Sequence, residues 1–210
     1  KTIKDSFDNL EKLSASASKL EKQCAIINTL TALFGLEAIT FLSSFAVTFA
    51  ITETGVFQGI GQLVKLICRD EVLHTRMSYE LFNIIKGDPD WQEALDLTRK
   101  SRKEILDATV MQEIDSAEQL FQDGRKVVGL NKNLLQSYTL YMAAPIYKLQ
   151  GLDFDLSLLQ EVPKSNPLPY MDSYIDSSST QAAAQEIQLS SYNIGTISDD
   201  DLDNLDLDDL

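Results

Sequence analysis

This chain is short of several things. It has one histidine, two cysteines and one tryptophan, and none of its five prolines comes before residue 89. Positive charge is also scarce: 18 Lys and Arg face 32 Asp and Glu, and residues 165–210 hold no basic side chain. Each shortage excludes something. Cys24 and Cys68, neither in a CxxC pair, cannot build a disulfide framework, so a reducing, cytoplasmic compartment is expected. Ten acids lie in 165–210, which accounts for −10 of the formal −14; elsewhere 22 acids face 18 bases. With no positive excess to neutralise phosphates, nucleic acid and anionic membrane surfaces are excluded as partners.

Long uncharged runs are limited as well. The two longest near the start, 23–36 and 38–52, are 14 and 15 residues, short of the roughly 20 that span a bilayer. Joining them would bury Glu37 mid-membrane at a cost of several kcal/mol, so a core helix is the expectation. No signal-peptide pattern opens the sequence. It begins at Lys1 rather than Met, and a piece of a longer chain is expected.

What is present is helical patterning. Apolar residues recur at helical spacing, predicting helices over 4–22, 24–52, from the glycines at 55–61 to about Lys86, over 90–122, and from Asn131 to Gln150. Gly87-Asp88-Pro89 and Asp123-Gly124 are breaks. Long helices joined by short loops make a bundle, so the fold class is all-α. From Pro163 the composition turns to linker, with Pro163, Pro167 and Pro169 followed by serine and alanine runs. The expected division is a bundle over 1–162 and a flexible acidic tail over 163–210. The final residues, TISDDDLDNLDLDDL, read either as a solvated tail or, from the leucine spacing, as a peptide that folds onto a partner.

Chemistry concentrates at the one histidine. Glu71 and His74 are three residues apart in RDEVLH, so on a helix a carboxylate and an imidazole converge. Alone this is weak. Glu37 adds to it, because it sits among Phe34, Ala38, Ile39, Phe41 and Phe45, where a carboxylate is costly unless it meets a cation. A metal is one such cation, and Arg69 or Lys65 is the other. Dimetal-carboxylate bundles use one Glu from each of two helices and a Glu-x-x-His from each of two more. This chain supplies one of each, half a site.

Five ordered blocks then carry a resemblance: LEAITFLSSFAVTFA at 36–50, LICRDEVLH at 66–74, FQDGRKVVGLNKNLL at 121–135, KSNPLPYMDSY at 164–174 and QEIQLSSYNIG at 185–195. Together they resemble the second half of the radical-generating small subunit of class I ribonucleotide reductase, from about residue 24 onward. The resemblance implies a ferritin-like bundle with a dinuclear iron centre, manganese being an alternative. Glu37, Glu71 and His74 match metal ligands. Asp70 matches an aspartate that bonds a ligand histidine and joins the radical-transfer chain. Phe41, Phe45, Ile67 and Ser44 match the lining around the stored tyrosyl radical, although the first three are ordinary core residues on any reading. Tyr192 matches the tyrosine that relays the radical, and Glu186 a nearby tail carboxylate.

The implied partners are the large subunit, which reduces ribonucleotides and is docked through 185–210, a second small subunit, and the N-terminal half of this one. That half would bring the other ligands and the radical-storing tyrosine. This chain alone is therefore expected to be incomplete and inactive, either as a truncated piece or as a split-gene product; pairing of two copies would also meet the ligand count. The alternative function is a non-catalytic decoy that binds the large subunit through its tail. Trp91, Tyr138, Tyr141 and Tyr147 are expected to be packing or surface aromatics.

Overall fold

The computed structural model describes residues 3–158 and 161–176, together with the backbone of 181–182 and 191–192. Its helices are α1 (Ile3–Glu11), α2 (Lys19–Gly35), α3 (Leu42–Thr52), α4 (Gln58–Gly87), α5 (Gln92–Phe121), α6 (Lys132–Leu149) and α7 (Tyr170–Ile175). A π-helical turn, Leu36–Phe41, joins α2 to α3 without a break in direction. Two-residue strands, β1 (Gln181–Ala182) and β2 (Ser191–Tyr192), pair antiparallel. The rest of the expected tail, including Glu186, lies outside the described residues.

The helix expected over 4–22 is two helices, and the serines between them explain why. The Ser14 and Ser16 hydroxyls bond each other, and Ser14 Oγ accepts from the Ser16 backbone N–H, the local competition that makes serine a poor helix-interior residue. Ser18 then starts α2 with a capping box: its Oγ accepts from Glu21 N at 3.2 Å, and its own N–H donates to Glu21 Oε2 at 2.7 Å. The stretch Lys19–Thr52 is long and apolar enough to cross a membrane by length and composition. In the fold 61% of its most apolar window is buried against other helices, which accounts for the hydropathy without a bilayer.

α5 packs on α2 and α6 through Ala94, Thr98, Ile105, Leu106, Thr109, Val110, Glu113 and Ala117, a helical stripe of buried positions. Arg102, also buried, ties α5 to the end of α6. Its Nη1 donates to Gln150 O at 3.0 Å and its Nη2 to Leu95 O at 3.0 Å. α3 turns back into α4 through Gly55 and Phe57, both with positive φ. Gly61, near the start of α4, lies against Thr52 so closely that a Cβ there would meet Thr52 Cγ2 at 2.4 Å.

The packed body also runs past the expected boundary at 162. Leu168 and Met171 are fully buried in the same cluster as Leu42, Phe49, Cys68 and Tyr138. Tyr170 donates to Ala46 O at 2.8 Å. Tyr174 stacks on Phe49 at 3.8 Å between ring centres and donates to Glu53 Oε1 at 2.7 Å. Proline-rich composition marks extended backbone, and here that backbone is pinned by the few apolar side chains it carries.

Candidate metal centre

Glu37 enters the bundle on the π-helical turn. A π turn holds an extra residue per turn and re-aims side chains, and such turns are frequent at functional sites. Here it presents Glu37 to α4, where Glu71, His74 and Ser78 share one face. His74 Nδ1 lies 3.1 Å from Glu71 Oε2 and 3.9 Å from Glu37 Oε1. One donor atom from each of the three residues lies within 4.8 Å of the others. Ser78 donates its hydroxyl to Glu37 Oε2 at 3.2 Å, fixing the far side of that carboxylate.

Burial differs sharply among the three. The Glu37 side chain is 7% exposed, Glu71 15% and His74 49%. Burial holds the Glu37 carboxyl above its usual range; the Ser78 hydrogen bond and the His74 charge pull it down, and Glu71 adds to the rise. The hydrogen bond to Glu71 raises the His74 imidazole, with the charges of Glu71, Glu37 and Asp70 adding to it against partial desolvation. No lysine or arginine figures among the groups that set Glu37's ionisation. Lys65 instead lies over the Tyr174 ring, 5.3 Å from its centre.

These residues fit a hard divalent cation. Two carboxylates and an imidazole are the donors that iron and manganese take, and a positive ion beside a buried carboxyl whose pKa desolvation raises favours its charged form. The open side of His74 leaves room for donors from outside.

The other expected site residues are placed as follows. Asp70 is exposed on α4, next to Glu71 in sequence. Phe41 and Phe45 are half-buried with ring centres 6.2 Å apart, and Phe45 continues to Phe49 at 6.2 Å. Ser44 is exposed and Ile67 is 50% exposed, so this lining is open on the side away from the bundle. Tyr192 is described by its backbone alone, opposite Gln181. Tyr138 and Tyr147 are fully buried packing residues.

Two polar residues go beyond the expected set. Ser78 was available, four residues after His74 and so on its face. Glu113 is a buried carboxylate of α5 that lines a cavity of about 310 Å³ with Ser43, Ser44 and Ser116. Burial raises its carboxyl above the usual range.

Comparison with known proteins fits this geometry. A family described as ribonucleotide reductase, small chain, matches residues 1–153. The beta subunit of ribonucleoside-diphosphate reductase 1 from Escherichia coli is 32% identical over 206 residues, 95% of this chain and 53% of that protein. Its counterpart from Salmonella typhimurium is 34% identical over 179 residues, 82% of this chain and 46% of that protein. A ribonucleotide reductase R2 subunit from Clostridium botulinum has a similar fold, with a TM-score of 0.65 at 20% identity, covering 82% of this chain and 50% of that one. The chain thus spans about half the length of these relatives.

Proposed function

The chain belongs to the ribonucleotide reductase small-chain family, with the fold of its ferritin-like bundle, and from that premise we propose that it acts as the C-terminal half of a radical-generating small subunit. The observation that carries this reading is the convergence of Glu37, Glu71 and His74 within 4.8 Å at a π turn. When bound, a pair of iron ions, or of manganese, supplies one-electron oxidising power. Glu37, Glu71 and His74 would hold one side of that pair, and the N-terminal half would bring the remaining ligands. Without them this chain is incomplete and inactive.

The chain's own residues divide the remaining work. Ser78 orients the Glu37 carboxylate, and His74 must give up the proton that Glu71 helps it retain before Nδ1 can ligate. Phe41, Phe45, Ile67 and Ser44 would wall the stored radical away from water, which quenches it. Asp70 and Tyr192 would belong to the chain that passes the radical outward, with Glu186 a tail carboxylate accompanying Tyr192; a phenol suits the relay because it gives up a proton and an electron together. Residues 185–210 would dock on the large subunit, where ribonucleotides are reduced to deoxyribonucleotides for DNA replication. The setting is cytoplasmic, and the whole small subunit works as a homodimer.

The test is to co-express this chain with the N-terminal half of a relative, then measure bound iron and the organic radical by electron paramagnetic resonance. Stoichiometric metal and a radical signal, both lost in Glu71→Ala, are expected. Metal at background level in the complex would refute the reading. A decoy acting only through its tail would retain its effect in Glu71→Ala.

A further inference from the structure

A cavity of about 290 Å³ lies between α6 and the segment that ends in α7. Its inner end is Tyr138. The Tyr138 ring is fully buried in the cluster that holds Leu42, Phe49, Cys68 and Met171, yet its hydroxyl has no hydrogen-bond partner among the described residues. The mouth is formed by Asp172, which is exposed, and Asn166. Asn166 Nδ2 donates to Asp172 Oδ1 at 2.7 Å, while its own Oδ1 accepts from the Leu168 N–H at 2.9 Å. The amide is thereby fixed, and it holds the carboxylate in place.

A buried phenol without a partner is costly, so the inner end calls for a group that can bond it. Burial keeps that phenol protonated well above its ordinary range, with the nearby Asp172 among the groups that add to the effect, so it is a donor looking for an acceptor. The space is roughly ten times the ~30 Å³ share of one liquid water, which leaves room for a small organic molecule. The walls between the two ends are Tyr141, Met142, Pro145 and Ile175. Aromatic faces and a thioether favour a ring over an open chain. At the mouth the requirement is positive charge: Asp172 is a carboxylate, and residues 165–210 add ten acids and no base, a field that draws cations and repels phosphates and carboxylates.

We propose that this cavity binds a small aryl ammonium compound, its ring between Tyr141 and Met142, an oxygen at Tyr138 and its ammonium at Asp172. All the lining residues fall within 138–175, so the site is independent of the metal-centre reading and of any N-terminal half. A bound molecule would also bridge α6 to α7.

Titration calorimetry of the purified chain with tyramine should show one site per chain. Phenethylamine lacks the oxygen and tyrosol lacks the ammonium; each should bind about tenfold more weakly, the loss of one polar contact. In Tyr138→Phe the affinity for tyramine should fall to that for phenethylamine, and in Asp172→Asn to that for tyrosol. Asp172 is exposed and Tyr138→Phe deletes one unpaired oxygen, so both variants should keep their helical circular dichroism. Met142→Trp, which fills the cavity from a half-buried wall position, should abolish binding of all three compounds. No heat from tyramine up to millimolar concentration would mean a cavity that holds water only, and would overturn the site. Equal affinity for the three compounds, binding undiminished in Met142→Trp, or preferences that survive in Tyr138→Phe and Asp172→Asn would overturn it as well.

Discussion

Replacing Gly61 with alanine sets two well-understood effects against each other. In a helix interior the change is worth about 1 kcal/mol in favour of the folded state, because glycine loses more backbone freedom on folding. Here the new methyl would meet Thr52 Cγ2 at 2.4 Å and Oγ1 at 2.7 Å, with Thr52 Cβ at 3.1 Å. Threonine is branched at Cβ and its hydroxyl is engaged by Thr48 O at 3.1 Å, so it cannot swing aside, and overpacking of this kind costs about 1–3 kcal/mol. Gly61→Ala should therefore destabilise the parent chain by up to about 2 kcal/mol, lowering the melting temperature by up to about 8 °C for a body of this size. In a Thr52→Ala background the two closest contacts vanish, and the same substitution should stabilise. Urea unfolding of the four chains, followed by circular dichroism, gives the coupling, which should exceed about 1 kcal/mol. A stabilising Gly61→Ala in the parent, or equal effects in both backgrounds, would refute the reasoning. The contact matters for the site because it sets how close α4, with Glu71 and His74, lies to the run that carries Glu37.

Glu113→Gln should raise stability at neutral pH and leave it unchanged in acid. Burial puts the folded-state pKa of Glu113 above its unfolded value, so the benefit of that shift is full below the ordinary carboxylate range and is lost as pH rises through the raised value; unfolding curves at both pH values check this. A thiol reagent should label Cys24, which is partly exposed, and spare Cys68, which is fully buried with its thiol pushed up to about 12. Counting labelled thiols in folded and urea-unfolded chain should give one, then two. Tyr174→Ala removes the stack on Phe49 and the bond to Glu53, the stack alone worth about 0.5–1.5 kcal/mol. Limited proteolysis should then cut faster between 163 and 176, with the rest of the bundle unaffected.

The candidate ligands stand out in the sequence because each breaks a pattern. Glu37 is the one acid in a long apolar run, and His74 has no rival. The π turn beneath Glu37 was not legible, since LEAITF has the same apolar character as an ordinary helix and the extra residue is set by packing against α4. The break after α1 was written in the chain, as Ser18 followed by Glu21, but the charged periodicity on either side read as one helix. Leu168 and Met171 were hidden for the opposite reason: two anchors among prolines are too sparse to form a period. Glu113 looked like one more acid on α5, and its burial comes from elements packed against α5 that are distant in sequence.

The widened coil at Leu36–Phe41 has a bearing on descent. Losing one codon inside it would restore uniform winding and a regular backbone ladder, at no evident thermodynamic disadvantage. The carboxylate it aims would then swing off target. Under the proposed function, lineages that have retired the redox chemistry are free to accept that repair, and lineages that still use it are not. Spacing across this short stretch, more than the identity of any residue in it, should therefore distinguish working descendants from silent ones.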